Sequence, residues 1–131
     1  MLTKISKLLV VLFVLAVAGL FTSEIYARRD HRALPAAPDE RVARGRALIF
    51  EKGCGACHVI PGIRGALGLV GPPLLWWSRR TMIAGQLPNT PANLARWIQA
   101  PQLVEPNTAM PTLGLSEEQS QDIAAYLDTL Q

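Results

Sequence analysis

Two cysteines and a histidine stand close together in the segment Cys54-Gly55-Ala56-Cys57-His58. On a helical turn, residues three and four positions apart share one face, so both thiols point to the same side. Each thiol can then add to a vinyl group of a haem, and the adjacent imidazole can present a nitrogen to the iron. The two residues between the cysteines are small, which lets the turn lie close to the macrocycle. The spacing C-x-x-C-H is typical of covalent c-type haem attachment.

Two other uses of paired cysteines fit this segment less well. A thioredoxin-like redox pair belongs between a strand and a helix of an α/β unit, whereas the flanks here are a predicted helix and a glycine-rich loop. A zinc site needs further ligands, and His31 is the only histidine besides His58. Two cysteines also exclude a disulfide-rich scaffold and a four-thiolate zinc site. We therefore predict one covalently bound haem c.

A six-coordinate iron needs a second axial ligand besides His58, and three side chains are candidates. Met110 is preferred, because prolines around it can hold its loop rigid. Met82 follows His58 closely and lies on a short helix predicted after Trp76, so it has difficulty reaching the far side of a haem. We assign Met82 to the core, as is usual for methionine, and His31 lies in a predicted linker. Ligation by His and Met raises the reduction potential.

Three longer helices are predicted around this motif. Asp39 is expected to cap a helix over residues 39–52. Thr90, followed by a proline, starts a second helix. Ser116 opens a capping box and a helix over residues 116–130. The side chains expected to face inward are Leu94, Trp97 and Ile98 on the second helix, and Ile123, Tyr126, Leu127 and Leu130 on the third.

The predicted fold class is all-α, with about four or five short helices around the haem. No segment alternates at period two, so we predict no sheet. Residues 59–73 form a long, glycine-rich loop, and such a loop inside a small domain needs a reason. A large apolar cofactor that packs against this loop would explain its length.

The N-terminal segment is apolar. Residues 8–21 are an unbroken run of fourteen residues without charge, which as a helix rise roughly 21 Å against a bilayer core of about 30 Å. Counting from Leu2 to Tyr26 reaches that length if Lys4 and Lys7 snorkel. An uncleaved membrane anchor over residues 1–27 and a cleaved secretory signal both remain open, and the anchor is preferred.

The predicted organisation places the remaining chain outside the cytoplasm. Residues 28–38 contain two prolines and no periodic pattern, so they are interpreted as a linker. Residues 39–131 form the predicted haem domain. Covalent haem attachment takes place outside the cytoplasm, which puts this domain on the periplasmic or outer side of the inner membrane.

These features resemble a class I monohaem cytochrome c over residues 39–130. The family has an N-terminal helix, C-x-x-C-H, a Gly-Pro pair, a methionine ligand in a loop and a C-terminal helix packed on the first. Here the pair is Gly71-Pro72 and the ligand is Met110. The resemblance implies that the Pro72 carbonyl accepts a hydrogen bond from His58, and such bonds orient a ligating imidazole.

The resemblance is strongest to the cytochrome c domains fused to subunit II of some bacterial haem-copper oxidases. It extends over the segment 79–101 and implies two further haem contacts. Arg79 is expected to be a counter-ion for a propionate, and Trp97 to lie against the haem near Met110. Two features depart from the family. No copper-binding cluster precedes the haem domain, and Gly45 lies five residues before Phe50 instead of the usual four.

The basic character of the chain lies in its N-terminal part. The pI is about 9.2 and the net charge +3, but residues 1–38 carry all of this excess and residues 39–131 are neutral. The charge therefore gives no reason to expect nucleic acid as a partner. Within the haem domain, residues 39–96 carry +5 and residues 97–131 carry −5. This asymmetry predicts a docking dipole for a redox partner.

The predicted function is a membrane-tethered one-electron carrier of a respiratory chain, not an enzyme. It would accept an electron from a bc1-type donor and pass it to a terminal oxidase or reductase, with no small-molecule substrate. Two alternatives are a haem subunit of a larger respiratory complex and, less favoured, an open-site haem enzyme or sensor.

Overall fold

The computed structural model describes Leu9, Val10, Leu12, Val14, Leu15 and Val17 together with residues 38–131. The chain divides into two units, Met1–Pro35 and Ala36–Gln131. In the first unit the six described residues are helical. The predicted anchor and linker otherwise lie outside the described residues, as does His31. Within the described part of the chain, no helix has both the length and the apolar character to cross a membrane.

The first helix of the second unit, α1, runs over Pro38–Glu51, one residue earlier at each end than predicted. Pro38, assigned to the linker, is its first residue, and a proline there loses no helical hydrogen bond. Asp39 lies inside the first turn and is not the N-cap. Beside Glu40 it still complements the positive end of the helix dipole.

The spacing of five residues between Gly45 and Phe50 on α1 determines which side chain packs into the core. Ile49, four residues after Gly45, is 1% exposed and belongs to the core, whereas Phe50 is 60% exposed. Residues four apart lie on one face of a helix, so the inward position of this face is aliphatic instead of aromatic. Gly45 itself is buried against Asp122 of the last helix.

The second helix, α2, runs over Pro91–Gln99 and starts as predicted. The side-chain oxygen of Thr90 accepts a hydrogen bond from the backbone N–H of Asn93 at 3.2 Å. Leu94 and Ile98 are buried, and Trp97 is half-buried. The helix ends before Pro101, which begins a short 3₁₀ turn, Pro101–Leu103.

The third helix, α3, runs over Glu117–Asp128 behind the predicted capping box. Ser116 Oγ accepts from the backbone N–H of Gln119 at 3.1 Å, and Gln119 Oε1 accepts from the backbone N–H of Ser116 at 3.0 Å. Its predicted inward side chains are buried, apart from Leu130, which is half-buried. The α3 helix packs against both α1 and α2, and the facing sides of these three helices form part of the hydrophobic core.

The expectation of no sheet is wrong. Two-residue strands, β1 (Met82–Ile83) and β2 (Leu87–Pro88), pair antiparallel with Met82 opposite Pro88. The turn between them has Ala84 and Gly85 at positive φ, which twists a hairpin in the favoured sense. Strands this short show no alternation in sequence. The predicted short helix is instead the 3₁₀ turn Trp77–Arg79, which ends before Met82.

The loop that follows the cysteine motif is fastened to the helices at two neighbouring carbonyl groups. Tyr126 of α3 donates its hydroxyl to the Pro61 carbonyl oxygen at 2.7 Å. Arg46 of α1 donates from two guanidinium nitrogens to the Gly62 carbonyl oxygen, at 2.9 and 3.2 Å. These contacts fix the start of the loop relative to the bundle.

Candidate haem site

The cysteine motif folds into a tight turn directly after α1. A 3₁₀ turn covers Cys54–Ala56, and the backbone N–H of His58 donates to the Cys54 carbonyl oxygen at 3.0 Å. Gly53 precedes the turn at φ 70°, a conformation that glycine adopts without strain. As the motif predicts, the turn brings Cys54, Cys57 and His58 to the wall of one cavity.

The turn lies against the glycine-rich loop with little space between them. A Cβ added to Gly55 would lie 2.7 Å from the Cα of Ala66, so residue 55 must be small. The backbone N–H of Gly68 donates to the Gly55 carbonyl oxygen at 3.1 Å. The half-buried Cys54 side chain packs against the hydrophobic core, and desolvation raises the pKa of its thiol.

The imidazole of His58 is held by the Gly-Pro pair. Its Nδ1 lies 2.7 Å from the Pro72 carbonyl oxygen, which can only accept, so Nδ1 carries the proton. Nε2 then keeps its lone pair for a metal. A Cβ on Gly71 would lie 2.3 Å from His58 Cε1 and 2.7 Å from Nδ1. Glycine at this position therefore forms a cradle for the ring.

The cavity has a volume of about 410 Å³. All three α-helices and the loops on both sides of the hairpin contribute to its walls. Trp97 lines it from α2, and Pro72 lines it beside His58. Its apolar lining includes Ile49, Leu74, Ile83, Leu94, Ile98, Leu113, Ile123 and Leu127. Ligand cavities of this size and character commonly hold one large apolar molecule.

Two methionines line the cavity, and they differ in how their backbone is held. Met110 lies in the loop between the 3₁₀ turn at Pro101 and α3, where Gln102 Nε2 donates to its carbonyl oxygen at 2.6 Å. Its N–H donates to Thr108 Oγ1 at 3.2 Å. Met82 lines the cavity from β1 and is 45% exposed.

An indole and a guanidinium stand together on another part of the wall. Trp77 is buried, and in the described part of the chain its Nε1 hydrogen finds no acceptor. The Arg80 guanidinium stacks over the Trp77 ring, 4.9 Å from the centroid, and donates to the Pro73 carbonyl oxygen. Buried donors are rarely left unpaired, so this pair is suited to an anionic group in the cavity.

The neighbouring Arg79, for which the family resemblance implies contact with a propionate, is exposed and is not among the cavity residues that the structure describes. Side chains three apart on a 3₁₀ helix lie directly above one another, which places Arg80 rather than Arg79 over Trp77. Of the adjacent pair Arg79 and Arg80, the family resemblance favours Arg79, and the short helix predicted after Trp76 does not define which of the two faces the cavity. Sequence reasoning missed Gln102, for which no sequence signal exists.

The residues present fit a covalently bound haem. One apolar cavity is lined by two thiols, an imidazole whose Nδ1 already has a partner, and a thioether. The same cavity is lined by an indole N–H that has no acceptor in the part of the chain that the structure describes, beside a cation. The iron and the propionates of a haem require these groups, and its rings require the apolar walls. Because residue 71 has no side chain, the His58 imidazole has room beside it.

Fold and site together define a small helical protein built to carry a haem. The family model for cytochrome c matches residues 42–131, and the chain belongs to the cytochrome c family. The prediction of this family is confirmed. Membership implies a covalently bound haem c and haem-based electron transfer.

Two similar proteins share the name cytochrome c oxidase subunit 2. The one from Alkalihalophilus pseudofirmus is 35% identical over 96 residues, which are 72% of this chain and 27% of that protein. The one from Bacillus sp. (strain PS3) is 35% identical over 94 residues, 69% of this chain and 26% of that protein. The chain thus spans about a quarter of either relative. No solved structure matches it significantly.

Proposed function

We propose that the protein is a one-electron carrier of a respiratory chain, with one haem c attached through Cys54 and Cys57. His58 and Met110 are the proposed axial ligands. The observation that carries this proposal is that one apolar cavity is lined by all four side chains. A haem iron bound there supplies reversible one-electron transfer. If His58 and Met110 both ligate the iron, no coordination position would remain for a substrate, so we propose electron transfer and no enzymatic activity.

The remaining site residues hold and tune the cofactor. Pro72 orients the His58 imidazole through the bond to Nδ1. Trp97, which lines the cavity from α2, would pack against the haem. Trp77 and Arg80 would receive a propionate, since one offers an N–H that has no acceptor among the described residues and the other offers a positive charge. Arg79 is exposed, so a counter-ion role for it requires contact at the mouth of the cavity.

The surface beside the cysteine turn is suited to contact with a redox partner. Leu67, Leu69 and Val70 are 76%, 88% and 76% exposed, Val70 also lines the cavity, and residues 65–71 carry no charge. We name residues 67–70 the apolar rim. Exposed apolar patches on small proteins commonly mark interaction sites.

The predicted docking dipole is partly compensated within the domain. Asp122 is buried and accepts from Arg44 Nε at 2.7 Å, with Arg41 Nε at 3.4 Å. The hydrogen bond to Asp122 raises the pKa of Arg44. Three of the charges that make up the predicted dipole therefore pair with one another at the contact between α1 and α3. This pairing weakens the dipole, so the apolar rim should contribute more to partner binding.

The proposed partners are a bc1-type donor and a terminal oxidase or reductase. The oxidase is favoured because both relatives carry the name of an oxidase subunit. The apolar segment of residues 8–21 supports attachment to the inner membrane. Covalent haem attachment, which takes place outside the cytoplasm, supports a haem domain on its outer or periplasmic side. The same relatives favour a second candidate, a haem subunit that stays assembled in a larger respiratory complex. An open-site enzyme or sensor would require that Met110 leave the iron.

The proposal is tested with the haem-loaded full chain, reduced by ascorbate and added to membranes of the source organism. We expect oxygen uptake to rise with the amount of protein added. A double variant, Cys54→Ser with Cys57→Ser, cannot form the thioethers and serves as the control. Failure of the membranes to oxidise a protein that ascorbate has reduced would contradict the carrier function.

Detergent extraction followed by native electrophoresis separates the two candidates. A free carrier migrates as a small haem-staining species. A complex subunit migrates with the oxidase.

A further inference from the structure

The side chain of Gln102 spans the loop that carries Met110. It lies in the 3₁₀ turn that follows α2, next to Pro101, which is among the most deeply buried residues of the domain. Its Nε2 donates to the Met110 carbonyl oxygen at 2.6 Å. Its Oε1 accepts from Thr112 Oγ1 at 2.5 Å. One amide therefore ties down the residues on both sides of Pro111.

Met110 depends on side chains for its backbone hydrogen bonds. Its carbonyl oxygen is held by Gln102 and its N–H by Thr108 Oγ1. Within the described residues, neither group pairs with another backbone group. The loop position at Met110 is thus set by an amide and a hydroxyl, and not by a helix or a strand.

We propose that Gln102 is a positioning residue that holds the Met110 thioether on the haem iron. This inference rests on the proposed function, since it requires Met110 to be a ligand. A thioether is neutral and a weak acceptor, so it keeps its place on iron only where the protein holds it there. The anchor is rigid because the turn that carries Gln102 is packed into the core through Pro101.

The chemistry of the amide predicts a graded series of variants. Gln102→Leu removes both hydrogen bonds at nearly constant size. Gln102→Glu keeps the acceptor for Thr112 but replaces the donor with an oxygen that faces the Met110 carbonyl. Thr112→Val removes only the contact at Oε1. The effect on Met110 ligation should be large in both Gln102 variants and mildest in Thr112→Val.

Gln121→Leu is the matched control. Gln121 also makes two side-chain hydrogen bonds, accepting from Arg41 Nη2 at 3.3 Å and donating to Glu117 Oε1 at 3.1 Å. It lies on α3 and is not among the residues that line the haem cavity. A general loss of stability would appear in this variant too.

The experiment adds imidazole to the ferric, haem-loaded full chain and follows displacement of the thioether through the iron–sulfur charge-transfer band. We expect Gln102→Leu and Gln102→Glu to bind imidazole roughly tenfold more tightly than the unmodified protein, about the effect of losing one or two hydrogen bonds. Gln121→Leu should match the unmodified protein. If Gln102→Leu cannot be loaded with haem, Gln102→Glu and Thr112→Val provide the same comparison.

Two different results would overturn two different claims. Absence of the band in the unmodified protein removes Met110 as a ligand and, with it, the premise of this proposal. A normal band together with equal imidazole affinities in the Gln102, Thr112 and Gln121 variants contradicts the positioning role alone.

Discussion

A Cβ atom added to Gly45 would lie 1.9 Å from the carbonyl oxygen of Asp122 and 2.5 Å from its carbonyl carbon. The helices α1 and α3 therefore meet backbone to backbone at this point. Neither atom belongs to a flexible side chain that could move aside. The contact places Ile49, one turn further along α1, in the core beside the haem cavity.

Gly45→Ala should be strongly destabilising, because α1 and α3 must separate to admit the methyl group. Overpacking of this kind costs about 1–3 kcal/mol, and the backbone contact puts this site at the upper end. Denaturant unfolding of the haem-loaded protein measures the loss. Ala47→Ser, at an exposed position of the same helix, should stay within about 0.5 kcal/mol. Equal stability of both variants would contradict the close approach.

Gly71→Ala should disturb the axial histidine. The added Cβ would lie 2.3 Å from His58 Cε1, so the ring must turn or the loop must move. We expect a changed low-spin spectrum of the ferric protein and a lower yield of loaded protein. Gly114→Ala is the control, since Gly114 has φ 64° but open space around it, and its strain alone costs about 1 kcal/mol. An unchanged ferric spectrum of the Gly71 variant would contradict the cradle.

Arg80 and Arg79 should differ in their effect on the haem. Arg80→Gln removes a positive charge from the cavity wall and should lower the reduction potential by roughly tens of millivolts, because a cation favours the reduced iron. Trp77→Phe should lower it less, since only an N–H is lost. Arg79 is adjacent to Arg80 in sequence but is exposed, so Arg79→Gln should leave the reduction potential almost unchanged. Redox titration measures these changes. A larger change in potential for Arg79→Gln than for Arg80→Gln would show that Arg79, and not Arg80, contacts the propionate.

The apolar rim should govern docking even where charges are screened. Leu69→Ser removes its most exposed apolar side chain and should slow oxidation of the protein by membranes severalfold, while reduction by ascorbate is unchanged. The slowing should persist near 1 M salt, where screening extends over about 3 Å. Leu103→Ser alters a leucine that is 80% exposed, outside the rim and the cavity, and should have little effect. An effect of Leu69→Ser only at low salt would favour the charge dipole.

The parts of this molecule that sequence predicted best are those set by neighbouring residues. The Ser116–Gln119 capping box and the Thr90 cap are local contacts, and both helices start where these residues predicted. The Cys54–His58 turn is equally local. Its five residues specify both the conformation and the chemistry.

The parts that sequence could not predict depend on contacts between distant segments or on very short elements. The β1–β2 hairpin holds only two residues per strand, too few for a periodic signal. Arg80 faces the cavity because Trp77 begins a single 3₁₀ turn, which shifts the inward position by one residue from Arg79. The hydrogen bond from Gln102 to the Met110 carbonyl oxygen joins a 3₁₀ turn to an irregular loop. The conformation of that loop depends on tertiary contacts, so the sequence does not predict this bond.

The spectrum of haem-loaded Met110→Ala, compared with that of Met82→Ala, tests whether Met110 is the second axial ligand. Both methionines line the cavity, so the pair separates ligation from packing. We expect Met110→Ala to lose the iron–sulfur charge-transfer band of the ferric protein and to bind carbon monoxide when reduced, while Met82→Ala keeps the band and excludes carbon monoxide. A band that survives in Met110→Ala, or ready binding of carbon monoxide by the unmodified reduced protein, would contradict His58–Met110 ligation.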